Sequence, residues 1–368
     1  MPNPNAVVST RIRLVRAEGE LAVELEGGRR AVLDPSDPRS AGFAQVLEGL
    51  SAQNLPVYVE LDPETSAIAR LLIPHVSRVV GIREIDDDSL GVELELSHAR
   101  HVLRRGSEDF ELLERSLREA MDKGQRIVLT EDDAHEIVDV REYTPDPEGP
   151  GPLPDPEGPP RKPWERSPIR WLPRLWRWPW WPWWWCWWPW RRRCCVSGQR
   201  AQEVFDAMAA TSCNPQTVPP PCIPFLYPDD GCWARAHEMC RLMIGMGLSP
   251  RKVWIQGSLH VSTKNNPSCN VYWVWHVAPT LCVCGPRFWQ SQDMVIDPSL
   301  FTTPVTKSGW KGVQGDPGAT LTDTDASDFL WGATDPNYVQ TNQTLAYYRL
   351  QLQNRSVQNG PPPYANCP

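Results

Sequence analysis

The fold of the C-terminal half is decided by Ile223-Pro-Phe-Leu-Tyr-Pro-Asp-Asp-Gly-Cys-Trp-Ala-Arg-Ala-His-Glu-Met-Cys-Arg-Leu-Met-Ile244. Proline followed by Asp-Asp-Gly ends an extended segment, and we expect Asp229 or Asp230 to cap the helix that follows. Apolar residues then recur at helical spacing until a Gly-Met-Gly stretch ends the run. The pattern therefore predicts that Cys232 lies in the first turn of a helix packed into the core.

A cysteine at a helix start is chemically favourable for nucleophilic catalysis. The helix N-terminus carries about half a positive charge, which favours the thiolate that attacks carbonyl carbon. Free backbone N–H groups at the same place can stabilise an oxyanion. The residue type alone also fits a buried small apolar side chain or half of a disulfide.

Three histidines are candidates for the base that a thiol nucleophile needs. His237 follows five residues after Cys232 and is rotated roughly 140° around the helix, so a capping or surface role suits it better. His260 fits a strand, but nothing in the sequence orients its ring. His276 lies in the β-prone run Val271–Val277, which makes it the best candidate.

Strand alternation predicts which neighbours His276 has. It places Tyr272, Val274 and His276 on one face of the strand and the tryptophans on the other. A carboxylate that holds the ring is predicted at Asp297, where the apolar run Met-Val-Ile-Asp ends at a proline. Asp297 also fits an ordinary Asx turn, and Asp293 is the second candidate.

Three segments together resemble the protein glutaminase family over about residues 200–312. The first runs from Cys213 through Cys222 to the Tyr-Pro-Asp-Asp-Gly-Cys-Trp-Ala-Arg-Ala-His-Glu-Met stretch around Cys232. The second is the Trp-His-Val-Ala that contains His276, and the third is Ile-Asp-Pro-Ser-Leu-Phe around Asp297. The resemblance implies the catalytic residues Cys232, His276 and Asp297.

The family resemblance carries further expectations. It implies a papain/transglutaminase-like α+β domain that hydrolyses the side-chain amide of glutamine in a protein or peptide substrate, through a thioester and without metal or organic cofactor. It also implies a disulfide between Cys213 and Cys222. Cys240, Cys282 and Cys284 have no counterpart in the family pattern, and Cys-Val-Cys is only a weak metal signal without a second pair.

Charge divides the chain into three parts. Residues 1–160 contain 17 basic and 32 acidic residues, a balance of -15, whereas residues 161–195 contain 9 basic and 1 acidic and residues 196–368 contain 11 and 12. We therefore predict an acidic α+β module over 1–143, a linker over 144–195 and a catalytic domain over 196–368. An acidic and a neutral module do not indicate nucleic-acid binding.

The acidic module shows no motif that carries chemistry. Its patterns predict helices over Ser40–Leu50 and Ser107–Met121, and strands over Val57–Leu61, Arg78–Ile85 and Leu90–Leu96. Its histidines are scattered along the sequence, and Glu131-Asp-Asp is expected to form a solvated turn or helix start rather than a metal site. The module fits a binding partner, an inhibitor or a delivery domain.

The linker has two parts. Residues 144–163 are dense in proline, which predicts an extended, semi-rigid segment. Residues 164–193 contain 12 of the 19 tryptophans, flanked by arginines, and resemble membrane-active peptides of the indolicidin type. This composition predicts contact with an anionic membrane surface. The alternative is a low-complexity linker that packs on a neighbouring domain or binds carbohydrate or proline-rich partners.

Cysteine usage and the N-terminus point to different compartments. All 11 cysteines lie at or after Cys186, which favours disulfides and an extracellular or exported protein. Residues 1–15 lack the apolar core of a secretory signal, so export is expected to use another route, and a cytoplasmic location stays open. Two other functions also stay open: another thiol acyl-transfer enzyme (transglutaminase or protease), and a non-enzymatic membrane-active toxin or adhesin.

Overall fold

A computed structural model describes residues 6–9, 12–17, 20–25, 28–144, 195–215, 221–285, 287 and 290–368. The predicted proline-rich linker and Trp/Arg-rich membrane-contact segment lie almost wholly outside these residues. Helices and strands are mixed in both described parts of the chain, as the α+β prediction requires. Among the described residues, no helix is both long enough and apolar enough to span a membrane.

The N-terminal module, residues 6–144, has two described helices, α1 (Ser40–Ala52) and α2 (Phe110–Lys123). Its described strands are β1 (Ala6–Ser9), β2 (Ile12–Ala17), β3 (Glu20–Leu25), β4 (Arg30–Val32), β5 (Val57–Leu61), β6 (Ile68–Leu72), β7 (His75–Asp86), β8 (Ser89–Leu94), β9 (His101–Arg104), β10 (Arg126–Glu131) and β11 (Ile137–Glu142). They form the sheets β1-β5-β6, β2-β3-β4 and β11-β10-β7-β8-β9.

The module repeats one unit, a helix followed by an antiparallel hairpin. Helix α1 precedes the β5–β6 hairpin and α2 precedes the β10–β11 hairpin, and each hairpin has a register irregularity near its turn. Helix α2 packs Leu113, Leu117 and Ala120 onto its sheet and ends at Gly124, whose φ of 61° is the left-handed conformation that glycine adopts readily.

The C-terminal domain, residues 195–368, contains the described helices α3 (Gly198–Ala209), α4 (Cys232–Gly245), α5 (Lys307–Gly312) and α6 (Val339–Asn359). Its described strands are β12 (Arg251–Ser262), β13 (Asn270–Cys284), β14 (Ser291–Val295), β15 (Val305–Thr306), β16 (Thr320–Asp325), β17 (Asp328–Leu330) and β18 (Ala333–Thr334). An antiparallel sheet of order β15-β14-β13-β12-β16 forms its centre, and α4 packs on β13.

Helix α4 begins at Cys232, but the predicted carboxylate cap is wrong. The N-cap residue is Gly231, with φ 80° and no side-chain cap hydrogen bond. A Cβ at this position would overlap the ring of Tyr348 on α6, so glycine meets both the backbone conformation and the close packing. Asp229 and Asp230 are buried and bond to other groups instead.

The predicted face assignment of β13 is also wrong. The ring of Trp273 stacks on that of His276 with centroids 4.5 Å apart, so these two residues share a face. The neighbouring strand shifts register between Gln256 and Leu259, which interrupts the regular pairing beside this part of β13. Strict alternation therefore fails where the histidine lies.

Disulfides crosslink the C-terminal domain. They join Cys213 to Cys222, Cys195 to Cys284 and Cys269 to Cys367, and the last two were not anticipated. Because Cys284 is oxidised, the weak Cys-Val-Cys metal signal has lost one of its two ligands. Cys232, Cys240 and Cys282 are free thiols.

The module and the domain share apolar packing. Helix α1 packs on α6 at close range. The approach is so close that a Cβ at Gly42 would overlap Val357 and one at Gly49 would overlap Leu350. Buried residues of α1, β5 and β6 belong to the same hydrophobic cluster as residues of α4 and α6. The two parts therefore pack against each other as one body around the start of α4.

Candidate active site

Cys232, His276 and Asp297 converge at the centre of the C-terminal domain. The Cys232 sulfur and a ring nitrogen of His276 lie within 4.8 Å of each other. His276 Nε2 lies 2.9 Å from Asp297 Oδ2. All three side chains are buried, so a nucleophile, an imidazole and a carboxylate are held in series in a site closed to water.

Two elements of the sheet and one loop set this geometry. Strand β13 carries His276 under the first turn of α4, and Asp297 follows β14, the next strand in the sheet. The indole N–H of Trp310 donates to Asp297 Oδ2 at 2.9 Å, and the backbone N–H of Ser299 donates to Oδ1 at 3.2 Å. The carboxylate is thereby fixed on both oxygens, and it fixes the ring of His276 in turn.

Comparison with known proteins identifies relatives of the part of the chain that contains Cys232, His276 and Asp297. A family model described as a glutaminase, of the glutamine deamidase type, matches residues 201–314, which contain all three converging residues. Residues 201–314 match the glutaminase family. The resemblance to protein glutaminases over about residues 200–312 is thus confirmed. None of the curated proteins compared with the chain matches it.

Solved structures are also similar to the chain. A crystal structure of pro-protein-glutaminase is 20% identical, with 81% of this chain and 99% of that chain covered and a TM-score of 0.48. The NMR structure of protein-glutaminase from Chryseobacterium proteolyticum is 28% identical, with 40% of this chain and 84% of that chain covered and a TM-score of 0.36.

The charges around His276 and Asp297 favour a carboxylate beside a neutral imidazole. Burial by itself would raise the pKa of Asp297, but His276 and the two hydrogen bonds from His276 and Trp310 bring it below its ordinary value. Burial lowers the pKa of His276, against the opposing effect of Asp297. The lowered pKa favours the neutral ring, which can accept a proton.

The pKa of the Cys232 thiol, by contrast, is shifted away from the thiolate. Burial raises the pKa of Cys232 well above its ordinary value, although Arg235 lowers it in part. Loss of water in the closed site therefore acts against the thiolate, in the opposite direction to the positive charge expected at the helix N-terminus. The closed site thus favours the thiol form of Cys232 beside the neutral form of His276.

Arg235 is a functional candidate that sequence reasoning missed. It lies three residues after Cys232, one helical turn on, and is buried. Its guanidinium donates to the carbonyl oxygens of Tyr227 at 2.9 Å and Asp230 at 2.5 Å. The i, i+3 spacing from the nucleophile was the available signal, and a buried cation there favours negative charge at the site.

The other sequence candidates lie elsewhere. His237 is buried rather than capping or surface-exposed, with Nδ1 2.9 Å from Lys252 Nζ. His260 lies on β12 and contacts Asn270, and Asp293 forms an ion pair with Lys307 at 3.1 Å. Neither His260 nor Asp293 contacts the converging triad.

A segment of the N-terminal module covers the triad. His98 is fully buried, with its ring stacked on His276 at a centroid distance of 5.7 Å and tilted against Trp275 at 5.2 Å. Its Nδ1 donates to the Trp275 carbonyl oxygen at 3.0 Å. The ligand atoms of His98, Cys232 and His276 all lie within 4.8 Å of one another. An imidazole from outside the domain thus stands directly beside the sulfur.

The backbone around His98 pairs with β13. Val274 N–H donates to the His98 carbonyl oxygen and Arg100 N–H donates to the Tyr272 carbonyl oxygen, both at 2.9 Å. His98 N–H also donates to the Asp230 carboxylate at 3.0 Å. Residues 97–100, hereafter the covering segment, lie along the strand that carries His276 and close the site.

Proposed function

We propose that the chain hydrolyses the side-chain amide of glutamine in a protein or peptide, giving glutamate and ammonia. The convergence of Cys232, His276 and Asp297 inside the glutaminase-matching segment is the observation that carries the proposal. A thiol, an imidazole and a fixed carboxylate supply the groups that an acyl-transfer reaction on an amide needs.

In the proposed reaction, His276 takes the thiol proton as the Cys232 sulfur attacks the carboxamide carbon. A C–S bond forms and the carbonyl oxygen becomes an oxyanion. His276 then donates the proton to the amide nitrogen as the C–N bond breaks, so ammonia leaves and a thioester stays. Water attacks the thioester carbon, His276 takes its proton, the C–S bond breaks and the sulfur regains a proton.

Neighbouring groups support these steps. Asp297 holds the His276 ring in the required tautomer and stabilises the imidazolium. The free N–H groups in the first turn of α4 and the buried Arg235 favour negative charge on the sulfur and the oxyanion. A nucleophile helix packed on an antiparallel sheet that carries the histidine fits a papain/transglutaminase-like domain, which forms part of the proposal.

We also infer that the N-terminal module inhibits the site, one of the three roles that its sequence leaves open. His98 lies beside the sulfur, and the covering segment uses the backbone groups of Tyr272 and Val274. A glutamine-bearing chain needs the same approach to the sulfur. The raised pKa of Cys232 fits a silent, water-free state.

The experiment measures ammonia release from a peptide with one internal glutamine and blocked termini, so that ammonia comes only from the side chain. The enzyme is the full chain, before and after proteolysis within residues 145–194, which leaves the Cys195–Cys284 disulfide intact. We expect low release before cleavage, higher release after cleavage and removal of the module, and about 10⁶-fold less in cleaved Cys232→Ala.

A matched control tests whether the position of the thiol matters. Cys240 is a second buried free thiol on the same helix, and Cys240→Ala should release ammonia at the wild-type rate. Equal release by wild type and Cys232→Ala would remove the proposal. Faster consumption of glutamine by an added primary amine than by water would indicate a transglutaminase, since only an amine-favouring site excludes water.

A further inference from the structure

Three histidines of the N-terminal module surround one buried carboxylate, that of Glu131 at the end of β10. His75 Nε2 and His135 Nδ1 lie 3.1 and 2.8 Å from Oε1, and His101 Nδ1 lies 2.5 Å from Oε2. The histidines therefore meet in space although they are scattered along the sequence, and the expectation that Glu131 is solvated is wrong. Strand pairing brings the four residues together from β7, β9, β10 and the turn that follows β10.

The second ring nitrogen of each histidine also has a neighbour. His75 Nδ1 lies 3.3 Å from the Tyr347 hydroxyl and His101 Nε2 lies 2.9 Å from Ser97 Oγ. Asp229 Oδ1 lies 3.3 Å from His135 Nε2. Outer partners of this kind orient the rings of metal-binding histidines and fix which nitrogen faces the ion.

His135 can be satisfied in two ways. It stands between two carboxylates, Glu131 on Nδ1 and Asp229 on Nε2. Without a metal, the ring must be an imidazolium to donate to both, because a neutral imidazole has one N–H and donates to only one of them. A cation bound to Nδ1 would leave the Nε2 proton for Asp229, the carboxylate–histidine–metal arrangement of many metal sites.

We propose that His75, His101, His135 and Glu131 form a structural Zn²⁺ site. Three imidazole nitrogens and one carboxylate oxygen are donors that Zn²⁺ binds in tetrahedral sites. The ligand atoms of His75, His101 and Glu131 already lie within 4.8 Å of one another. All four side chains are buried, which suits a closed structural site rather than an open catalytic one.

The position of the site suggests what the metal stabilises. His101 directly follows the covering segment in the sequence. Ser97, whose hydroxyl oxygen lies 2.9 Å from His101 Nε2, is the first residue of that segment. Asp229 and Tyr347 belong to the C-terminal domain, and Asp229 is also paired with Arg355 of α6 at 2.6 Å. A bound ion would therefore hold the covering segment against the domain. Any effect on activity rests on the proposed function.

The test is metal binding by the tag-free full chain, freed of metal with a chelator and dialysed. Titration with Zn²⁺ should give about one ion per chain. Co²⁺, used as a coloured substitute, should give the visible bands of a four-coordinate site without a sulfur charge-transfer band. His101→Ala and Glu131→Gln should lose this ion, whereas His260→Ala and Cys232→Ala should keep it.

Two results would overturn the site. One is the absence of stoichiometric Zn²⁺ binding by the folded wild-type chain, and the other is loss of the ion in Cys232→Ala, which would assign the ion to the triad instead.

Because the variants can unfold, the wild type supplies a second measurement: Zn²⁺ should raise its Tm. Ser97→Ala removes only the outer hydroxyl and should weaken Zn²⁺ binding about 10–100-fold; unchanged affinity would contradict the outer-partner assignment. None of these measurements depends on ammonia release.

Discussion

The two regions that meet at the sulfur differ in what they contribute. The C-terminal domain provides Cys232, His276 and Asp297, and its described part is crosslinked by three disulfides. The N-terminal module has no cysteine, and it contributes His98 and the rest of the covering segment. One region builds the geometry of the site, and the other closes it to water.

This difference separates geometry from ionisation. The bond between His276 and Asp297 lies within the domain, so it does not require the module. The pKa of Cys232 is raised by burial, and part of that burial comes from His98 beside the sulfur. Changes in the domain should therefore alter the chemistry, whereas changes in the module should alter access to the thiol.

Among changes that keep the Cys232 thiol, Asp297→Asn should have the largest effect, a fall in kcat of up to about 10⁴-fold in the cleaved chain. The amide cannot stabilise an imidazolium, and it favours the wrong tautomer of His276. The measurement is ammonia release across pH, with Asp293→Asn as the matched control, because Asp293 lies on the exposed side of β14 beside Lys307. Comparable rates for both variants would show that the carboxylate does not hold the histidine.

The crosslinks predict a difference in stability within the domain. Cys269–Cys367 spans 98 residues and Cys213–Cys222 spans 9. Chain entropy predicts that loss of the first pair through Cys→Ser changes lowers the free energy of unfolding by about 5 kcal/mol and loss of the second by about 3 kcal/mol. Denaturant unfolding of the two double variants measures this order, and a reversed order would contradict it.

Local patterns predicted much of the fold. The strand over Val57–Leu61 has the predicted bounds, the paired strands on either side of the Asp-Asp-Asp turn form β7 and β8, and α4 begins at Cys232. The helix predicted over Ser107–Met121 begins at Phe110 instead. These features depend on periodicity and turn residues, which are local in the sequence.

The errors share a cause, which is contact between residues far apart in the chain. Gly231 caps α4 because the ring of Tyr348 packs where a side chain would lie. The face of His276 depends on the register of β12, and the histidine cluster depends on strand pairing in the module. Asp230 accepts from His98 rather than capping the helix. Spacing along the sequence contains none of this information.

His98→Ala in the uncleaved chain tests the module's side of the comparison and should have the smallest effect. The change removes the hydrogen bond to the Trp275 carbonyl oxygen and the ring contacts with His276, worth about 1 kcal/mol each, while the backbone pairing to β13 stays. We expect opening of the covering segment to rise about 30-fold, which corresponds to ~2 kcal/mol. Alkylation of Cys232 by iodoacetamide should accelerate by the same factor, because the reagent reaches only the opened site.

The control is His260→Ala, which changes an exposed histidine on β12 and should leave the alkylation rate unchanged. If both variants react at the wild-type rate, the side chain of His98 does not close the site, and the backbone contacts of the covering segment or the packing of α1 on α6 must do so.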